Sequence, residues 1–292
     1  MTKRDLDHLV LATDSLSASR RRLADLGFSV AAEARHPFGT CNACVYFPDG
    51  TYLEPLAIWN RDKYDEAAAA GNVFIRYDRE FRMNCGPEGL SAMVVSTQDS
   101  IADHARFAAA NLSAGPKLSF ARPFETADGD IRTASFRLAF ARDRRAPSIL
   151  VFACQRISMP HHNTTNRHLN GVVGISGVLA AADNPEDAGD LLATLGSAED
   201  MVKCPGGIEL KLSDGCISVL RPDAISHRFG LVPVQGSQSP RLVGVFFRTA
   251  DLVVAEKFLR DHSIDFAKSK GRLVVGPRPG QGAYFVFEAA DP

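Results

Sequence analysis

The chain has 292 residues, 45% of them hydrophobic and 23% charged, which is ample for a sizeable core and, by length, for roughly two domains. Its 33 basic and 34 acidic side chains leave a net charge of −1, so charge gives no case for nucleic acid or an anionic membrane as partner. No apolar run is long enough for a spanning helix, the start Met1–His8 lacks the apolar stretch of a secretory leader, and the 6 cysteines read as reduced thiols of a cytoplasmic protein.

The run Leu6 to Asp14 is an apolar strand ending at an acidic cap. Ser15 to Leu26 follows as a helix, with Leu16, Leu23 and Leu26 on one face and Gly27 as its stop. The arginines at 20, 21 and 22 belong to its solvated side. Three strand-like runs come next, Phe28 to Ala34, Ala43 to Phe47 and Thr51 to Ile58, with Pro48-Asp49-Gly50 as the turn between the last two. This is a βαβββ unit. One or two helices are inserted after it, about residues 60–82, where Ala67 to Gly71 reads as a helix end.

The same grammar returns three times. The second unit has a strand from Leu90, a helix from Asp99 to about Leu112, and strands near Lys117–Phe120, Ile131–Phe140 and Ser148–Cys154. The third opens at Ile175, with a helix from about Pro185 to Leu195 and strands near Ile208–Leu212 and Cys216–Leu220. The fourth opens at Leu242, with a helix from Leu252 to His262 and a last strand from Ala283 to Glu288. An aspartate is expected to cap each strand-to-helix junction, at Asp14, Asp99, Asp183 and Asp251. The fold class is α+β: four βαβββ modules paired into two curved-sheet halves, residues 1–158 and 159–292, with the break in the polar stretch Arg156 to Asn170.

Alternation along a strand puts Leu6, His8 and Val10 on one face and Asp7, Leu9 and Leu11 on the other. His8 then points into the concave side, and so does Glu54 on the last strand of the same unit, beside Tyr52 and Leu56. An imidazole and a carboxylate on one concave face can hold a divalent metal; a plain His–Glu hydrogen bond is the alternative. Cys41 and Cys44 have the spacing of a redox pair but lie at a strand, without the helix N-terminus that lowers a thiol pKa, and read as buried and inert. No dinucleotide fingerprint, phosphate loop or nucleophile elbow occurs, so no nucleotide cofactor is expected.

The segments Leu6-Asp7-His8-Leu9-Val10-Leu11, Gly39-Thr40-Cys41-Asn42-Ala43 and Gly50-Thr51-Tyr52-Leu53-Glu54 resemble the glyoxalase-like branch of the vicinal oxygen chelate superfamily. The resemblance covers all four units, roughly Asp5 to Ala289. It implies paired βαβββ modules whose first and last strands offer metal ligands into a shared cup, and it makes His8 and Glu54 the candidate ligands of a divalent ion (Zn, Mn, Ni or Fe). The position it matches to His8 in the second unit is Met93, which is no ligand for a hard metal. Where related sequences have Cys-Gln-His, this chain has Cys154-Gln155-Arg156. Gln155 can offer a carbonyl oxygen, and Arg156 can bind a carboxylate or phosphate. In the second half, Gly177, Val219 and Gly244 stand at ligand positions. The stretch Arg167 to Gly171 resembles a structural element of the same family, and His161, His162 and His168 cluster around it; His168 or Asn170 is expected to bond loop backbone.

Two functions follow. In the first, a metal on His8 and Glu54 polarises a small oxygen-rich substrate and Glu54 moves its proton, in isomerase or lyase chemistry rather than dioxygen insertion. In the second, the same cup holds a small molecule without catalysis, lined and anchored by Asn42, Tyr52, Met93, Gln155 and Arg156. A small-molecule ligand is the expected partner in both, with self-association as a homodimer left open.

Overall fold

A computed structural model describes residues 4–125, 129, 131–158, 167–196, 198–232 and 239–290. His161 and His162 lie outside the described residues. The first unit contains β1 (Leu6–Ala12), α1 (Leu16–Asp25), β2 (Ala34–Arg35), β3 (Thr40–Asn42), β4 (Val45–Tyr46) and β5 (Tyr52–Ile58). Helices α2 (Arg61–Ala69) and α3 (Val73–Cys85) form the insertion. The second unit is β6 (Gly89–Ser96), α4 (Ser100–Ala109), β7 (Leu118–Glu125), β8 (Ile131–Ala141) and β9 (Leu150–Ser158). The third is β10 (Val172–Ala181), a 3-10 turn leading into α5 (Gly189–Ala193), β11 (Met201–Cys204), β12 (Gly207–Lys211) and β13 (Cys216–Leu220). Helix α6 (Pro222–Phe229) precedes the fourth unit, β14 (Arg241–Thr249), α7 (Leu252–Asp261), β15 (Ala267–Ser269), β16 (Arg272–Val275) and β17 (Tyr284–Ala289).

The strands make two sheets, one of 9 and one of 8. The path of the first is β2-β3-β5-β1-β6-β9-β8-β7, with β4 beside β5; that of the second is β11-β12-β13-β10-β14-β17-β16-β15. In every unit the first and last strands pair in parallel: β1 with β5, β6 with β9, β10 with β13, and β14 with β17. Units join through antiparallel pairing of their first strands, β1 with β6 and β10 with β14. The edge strands β2 and β7 of the first sheet approach each other, so that sheet curls most of the way to a barrel.

Three sequence expectations are corrected. Phe28 to Ala34 is not a strand; only Ala34–Arg35 pairs, and Phe28 is spent in the core between the sheets. The acidic caps hold at Asp99 and Asp251, but Ser15 caps α1, accepting from the Ala18 amide, and Asn184 stands at the third junction without a side-chain capping bond. Helix α6 had no counterpart in the sequence reading.

The largest core lies between the two sheets. Leu9, Leu11, Leu53 and Met93 of the first sheet pack there with Val178, Val245, Phe285 and Phe287 of the second. Phe28 sits among Phe47, Phe247, Phe285 and Phe287, with ring centroids 5.1–6.2 Å apart. His168 and Asn170 fasten the connection: His168 Nδ1 accepts from the Ser29 amide, Nε2 donates to the Tyr46 carbonyl, and Asn170 Nδ2 donates to the Leu26 carbonyl.

The concave faces are roofed by helices. Tyr64, Phe74, Tyr77 and Phe81 of α2 and α3 pack over Val10, Val94 and Phe152 in the first half. Ile225 and Phe229 of α6 pack on Phe246 and Val286 in the second. Asp78 ties the first roof down. It accepts from Tyr64 Oη at 2.7 Å and from Arg82 Nε at 2.8 Å, and Arg82 donates onward to the carbonyls of Leu56 and Thr13. Gly39 lets α2 come close. Its φ is +90°, and a Cβ there would lie 2.5 Å from the Tyr64 nitrogen.

Candidate functional site

Between the first sheet and its roof lies a narrow cup enclosing about 510 Å³ of empty space, open solvent at its mouth included. Parallel pairing sets His8 opposite Tyr52 and Val10 opposite Glu54, so His8 and Glu54 emerge on the same face one pleat apart. His8 Nε2 lies 3.3 Å from Glu54 Oε2. Asn42 on β3 donates from Nδ2 to Glu54 Oε1 at 2.5 Å, and Tyr52 stacks on the His8 ring at 4.2 Å. His8, Asn42, Tyr52 and Glu54 all line the cup.

Asp7 completes this group. The β1–β6 register shifts between Leu6 and His8, so the strand bulges at Asp7. Leu6 consequently turns to the inter-sheet core rather than sharing the face of His8, and the Asp7 carboxylate reaches its own neighbour, with Oδ1 2.5 Å from His8 Nδ1. Arg156 Nη2 holds the other oxygen at 2.8 Å. The result is a relay, Asp7–His8–Glu54–Asn42, that is buried throughout, with Arg156 at its exposed end. Burial resists charge on His8, but the two flanking carboxylates outweigh it and hold its pKa above the ordinary histidine value. Burial likewise resists ionisation of Asp7 and Glu54. His8 and Arg156 pull Asp7 down nonetheless, and His8, His36 and Asn42 pull Glu54 down.

Two further polar residues enter the cup that the sequence reading did not select. His36 follows β2, bonds Thr40 Oγ1 through Nδ1 at 2.9 Å, and places Nε2 3.9 Å from Glu54 Oε1. Burial drives its pKa down to about 4, against the pull of Glu54 and with the help of Arg122, so it is neutral at ordinary pH. Arg122 comes from β7, where it pairs with Ala134 at the seam facing β2. It is 6% exposed and lines the cup. No spacing or motif marks either residue; strand order sets His36 near Glu54, and the curl of the sheet brings Arg122 into the same cup. Phe38, Phe74, Phe120 and Phe136 supply the apolar wall.

Three expected lining residues lie elsewhere. Met93 pairs with Leu9, and Val94 pairs with His8, so the match of Met93 to His8 is off by one residue and Met93 sits in the inter-sheet core. Gln155 faces α4, accepting from Ser100 Oγ at 2.8 Å and donating to the Gln98 carbonyl. Arg156 stays outside the cup and acts on it through Asp7. In the third unit Leu179 pairs with Ser218 as Val10 pairs with Glu54, so Ser218, not Val219, occupies the place of Glu54. Cys41 and Cys44 are free buried thiols, and burial pushes Cys41 up to about 11 and Cys44 higher still.

The architecture implies a divalent metal, and the donor set tests it. A firmly held ion needs three or more converging protein donors. Among the described residues, no three His, Cys, Asp or Glu side chains converge in that way. Besides the His8 nitrogen and the Glu54 carboxylate, His36 Nε2 stands 3.9 Å from Glu54 Oε1, but the three do not form a metal-holding group. Val94 and Phe152, beside His8 on β6 and β9, carry no donor atom. Asn42 already holds one Glu54 oxygen and His8 faces the other. The residues present do not fit a closed metal site.

Paired βαβββ modules enclosing a polar cup define a vicinal oxygen chelate fold. The model of the glyoxalase-like domain family matches residues 6–196, more than half of the chain, and the protein belongs to that family. No curated protein matches it. Among solved structures, a hypothetical protein from Staphylococcus aureus is similar over 98% of this chain and 99% of its own, with TM-score 0.66 and 15% identity. A mutant 4-hydroxymandelate synthase from Streptomyces coelicolor is similar over 100% and 95%, with TM-score 0.62 and 14% identity. A fusion of a xylose isomerase-like TIM barrel with 4-hydroxyphenylpyruvate dioxygenase matches 100% of this chain and 49% of its own, with TM-score 0.54 and 13% identity. At these identities the likeness is one of fold. Among the described residues, no helix is long and apolar enough to cross a membrane.

Proposed function

We propose that this protein binds a small oxygen-rich molecule in the first-sheet cup and moves a proton on it, with Glu54 and His8 as the exchanging groups. The observation that carries the reading is the buried His8–Glu54 couple, Nε2 to Oε2 at 3.3 Å, backed by Asp7 on the far imidazole nitrogen. Titratable groups pushed in opposite directions inside one cavity are what acid–base chemistry requires. Glu54, ionised, takes a proton from a carbon beside a carbonyl. His8, protonated at Nε2, gives its proton to the carbonyl oxygen to leave an enediol; Glu54 then delivers its proton to the former carbonyl carbon while His8 takes one from the neighbouring hydroxyl, which gives the isomer. Asp7 fixes the ring so that Nδ1 carries a proton and Nε2 faces the cup. Asn42 keeps Glu54 turned inward.

Deuterium exchange tests this. Small 2-hydroxy ketones and 2-oxo acids are incubated with the protein in D2O, and loss of the carbon-bound proton is followed by NMR. Exchange should occur with the parent, persist after treatment with a chelator, and fall on the order of 10²–10⁴-fold in Glu54→Gln. Compounds that bind without exchanging would replace catalysis by simple retention. That second reading is favoured by the bonds that already engage both Glu54 oxygens.

A further inference from the structure

We infer that Arg122 is the anchor for a carboxylate of the ligand, so that the cup takes small monocarboxylic acids with an apolar, flat body. The inference rests on the reading of the cup as a ligand site and narrows its ligand class. Arg122 is 6% exposed, yet its Nε and Nη1 are buried without any hydrogen-bond partner. Buried guanidinium groups are ordinarily paired, because leaving the charge and its donors unmatched in a low-dielectric site is unfavourable. Protein groups around Arg122 do not meet that need. Asp7 is taken by Arg156 and His8, and Glu54 by His8 and Asn42. His36, beside the guanidinium, is an uncharged ring, and Cys44 is a thiol.

The cup therefore carries one cation more than the chain neutralises within it. A carboxylate supplies both the missing charge and two acceptor oxygens, which suit the fork of the guanidinium. The rest of the cavity sets the body of the acid. Phe136 lies beneath the guanidinium carbon at 5.9 Å and stacks with Phe120 at 5.2 Å, which in turn meets the His36 ring edge-on at 5.6 Å. A planar apolar group fits against such rings, with the acid's reactive end toward Glu54.

The test is equilibrium binding by titration calorimetry. Phenylacetate and benzoate are the probes, phenylacetamide and benzamide their neutral counterparts, and inorganic phosphate the bare anion. The parent should bind at least one acid ten-fold or more tighter than its amide and than phosphate. Arg122→Gln should abolish that preference and Arg122→Lys should keep part of it. The acid should raise the melting temperature of the parent and not of Arg122→Gln, which confirms that the variant is folded and unliganded. Glu54→Gln should retain the preference for the acid. Acids bound no better than amides, phosphate bound as tightly as either acid, an unaltered preference in Arg122→Gln, or no acid binding at millimolar concentration would each overturn the assignment. Failure of proton exchange with the acid preference intact removes the catalytic reading alone. Exchange that survives in Arg122→Gln with undiminished affinity removes the anchor alone.

Discussion

His8 and His36 face the same carboxylate and are driven in opposite directions. His8 lies between Asp7 and Glu54, and its pKa is raised; burial takes His36 down to about 4, because Glu54 alone faces it, at 3.9 Å, and Arg122 opposes that pull. The consequences for stability have opposite signs. Below the ordinary value of 6.5 the unfolded chain protonates His36 and the folded one does not, so stability falls as pH drops from 6.5 toward 4. A gap of that size is worth roughly 3 kcal/mol. His8 stabilises the fold fully below 6.5, and its contribution fades as pH rises through its elevated folded pKa. The melting temperature should therefore peak near pH 6.5, with His36→Asn flattening the acid limb and His8→Gln the alkaline limb. A parent profile that rises steadily from pH 6.5 to 9 would contradict the relay. Strand alternation made His8 and Glu54 legible in the sequence. It concealed Asp7, because a bulge breaks alternation where Asp7 sits, while Met93, matched to His8 by the resemblance, stands one residue from Val94, the strand partner of His8. Arg122 could not be seen from spacing at all, since 68 positions separate it from Glu54 (122 less 54) and only curvature closes the distance.

The elements that recur in sequence were the readable ones. Strands β1, β5, β6 and β10 announce themselves by apolar runs ending at turn residues. The roof was half readable: its helices were expected near residues 60–82, but nothing in their pattern says which face of the sheet they cover. Gly39 settles that locally by giving α2 room against the strand. Gly39→Ala should cost well over 1 kcal/mol, since it adds a clash with Tyr64 backbone to the strain of a positive φ. Gly50→Ala is the control, with φ at +93° and nothing within 4 Å of the added carbon, so it carries the strain alone. Chemical denaturation of the two variants separates the terms, and equal losses would mean that close approach of α2 is not what Gly39 provides.

At the scale of the whole molecule, the two sheets share their largest core, and Phe28 of the first unit is enclosed by rings of the fourth. We propose on this basis that residues 1–158 and 159–292, though each has its own sheet, unfold as one. Calorimetry should give a single transition, and Phe28→Ala should lower it as a whole by about 3–5 kcal/mol of stability. Two resolved transitions in the parent would refute that coupling. The sequence could announce four repeats but not this arrangement, because an apolar strand face looks the same whether it meets its own helix or another sheet.

The second hollow repeats the geometry of the first with other contents. Gly177 stands where His8 would, Ser218 where Glu54 would, and Phe229 of α6 leans on Phe246 at 5.0 Å. The repeated scaffold thus carries two different interiors: the first holds the titratable cluster around His8 and Glu54, and the second an apolar cluster in which α6 packs on its sheet. A change of bulk at Phe229 should therefore disturb the second sheet's packing while leaving the His8–Glu54 cluster of the first sheet in place.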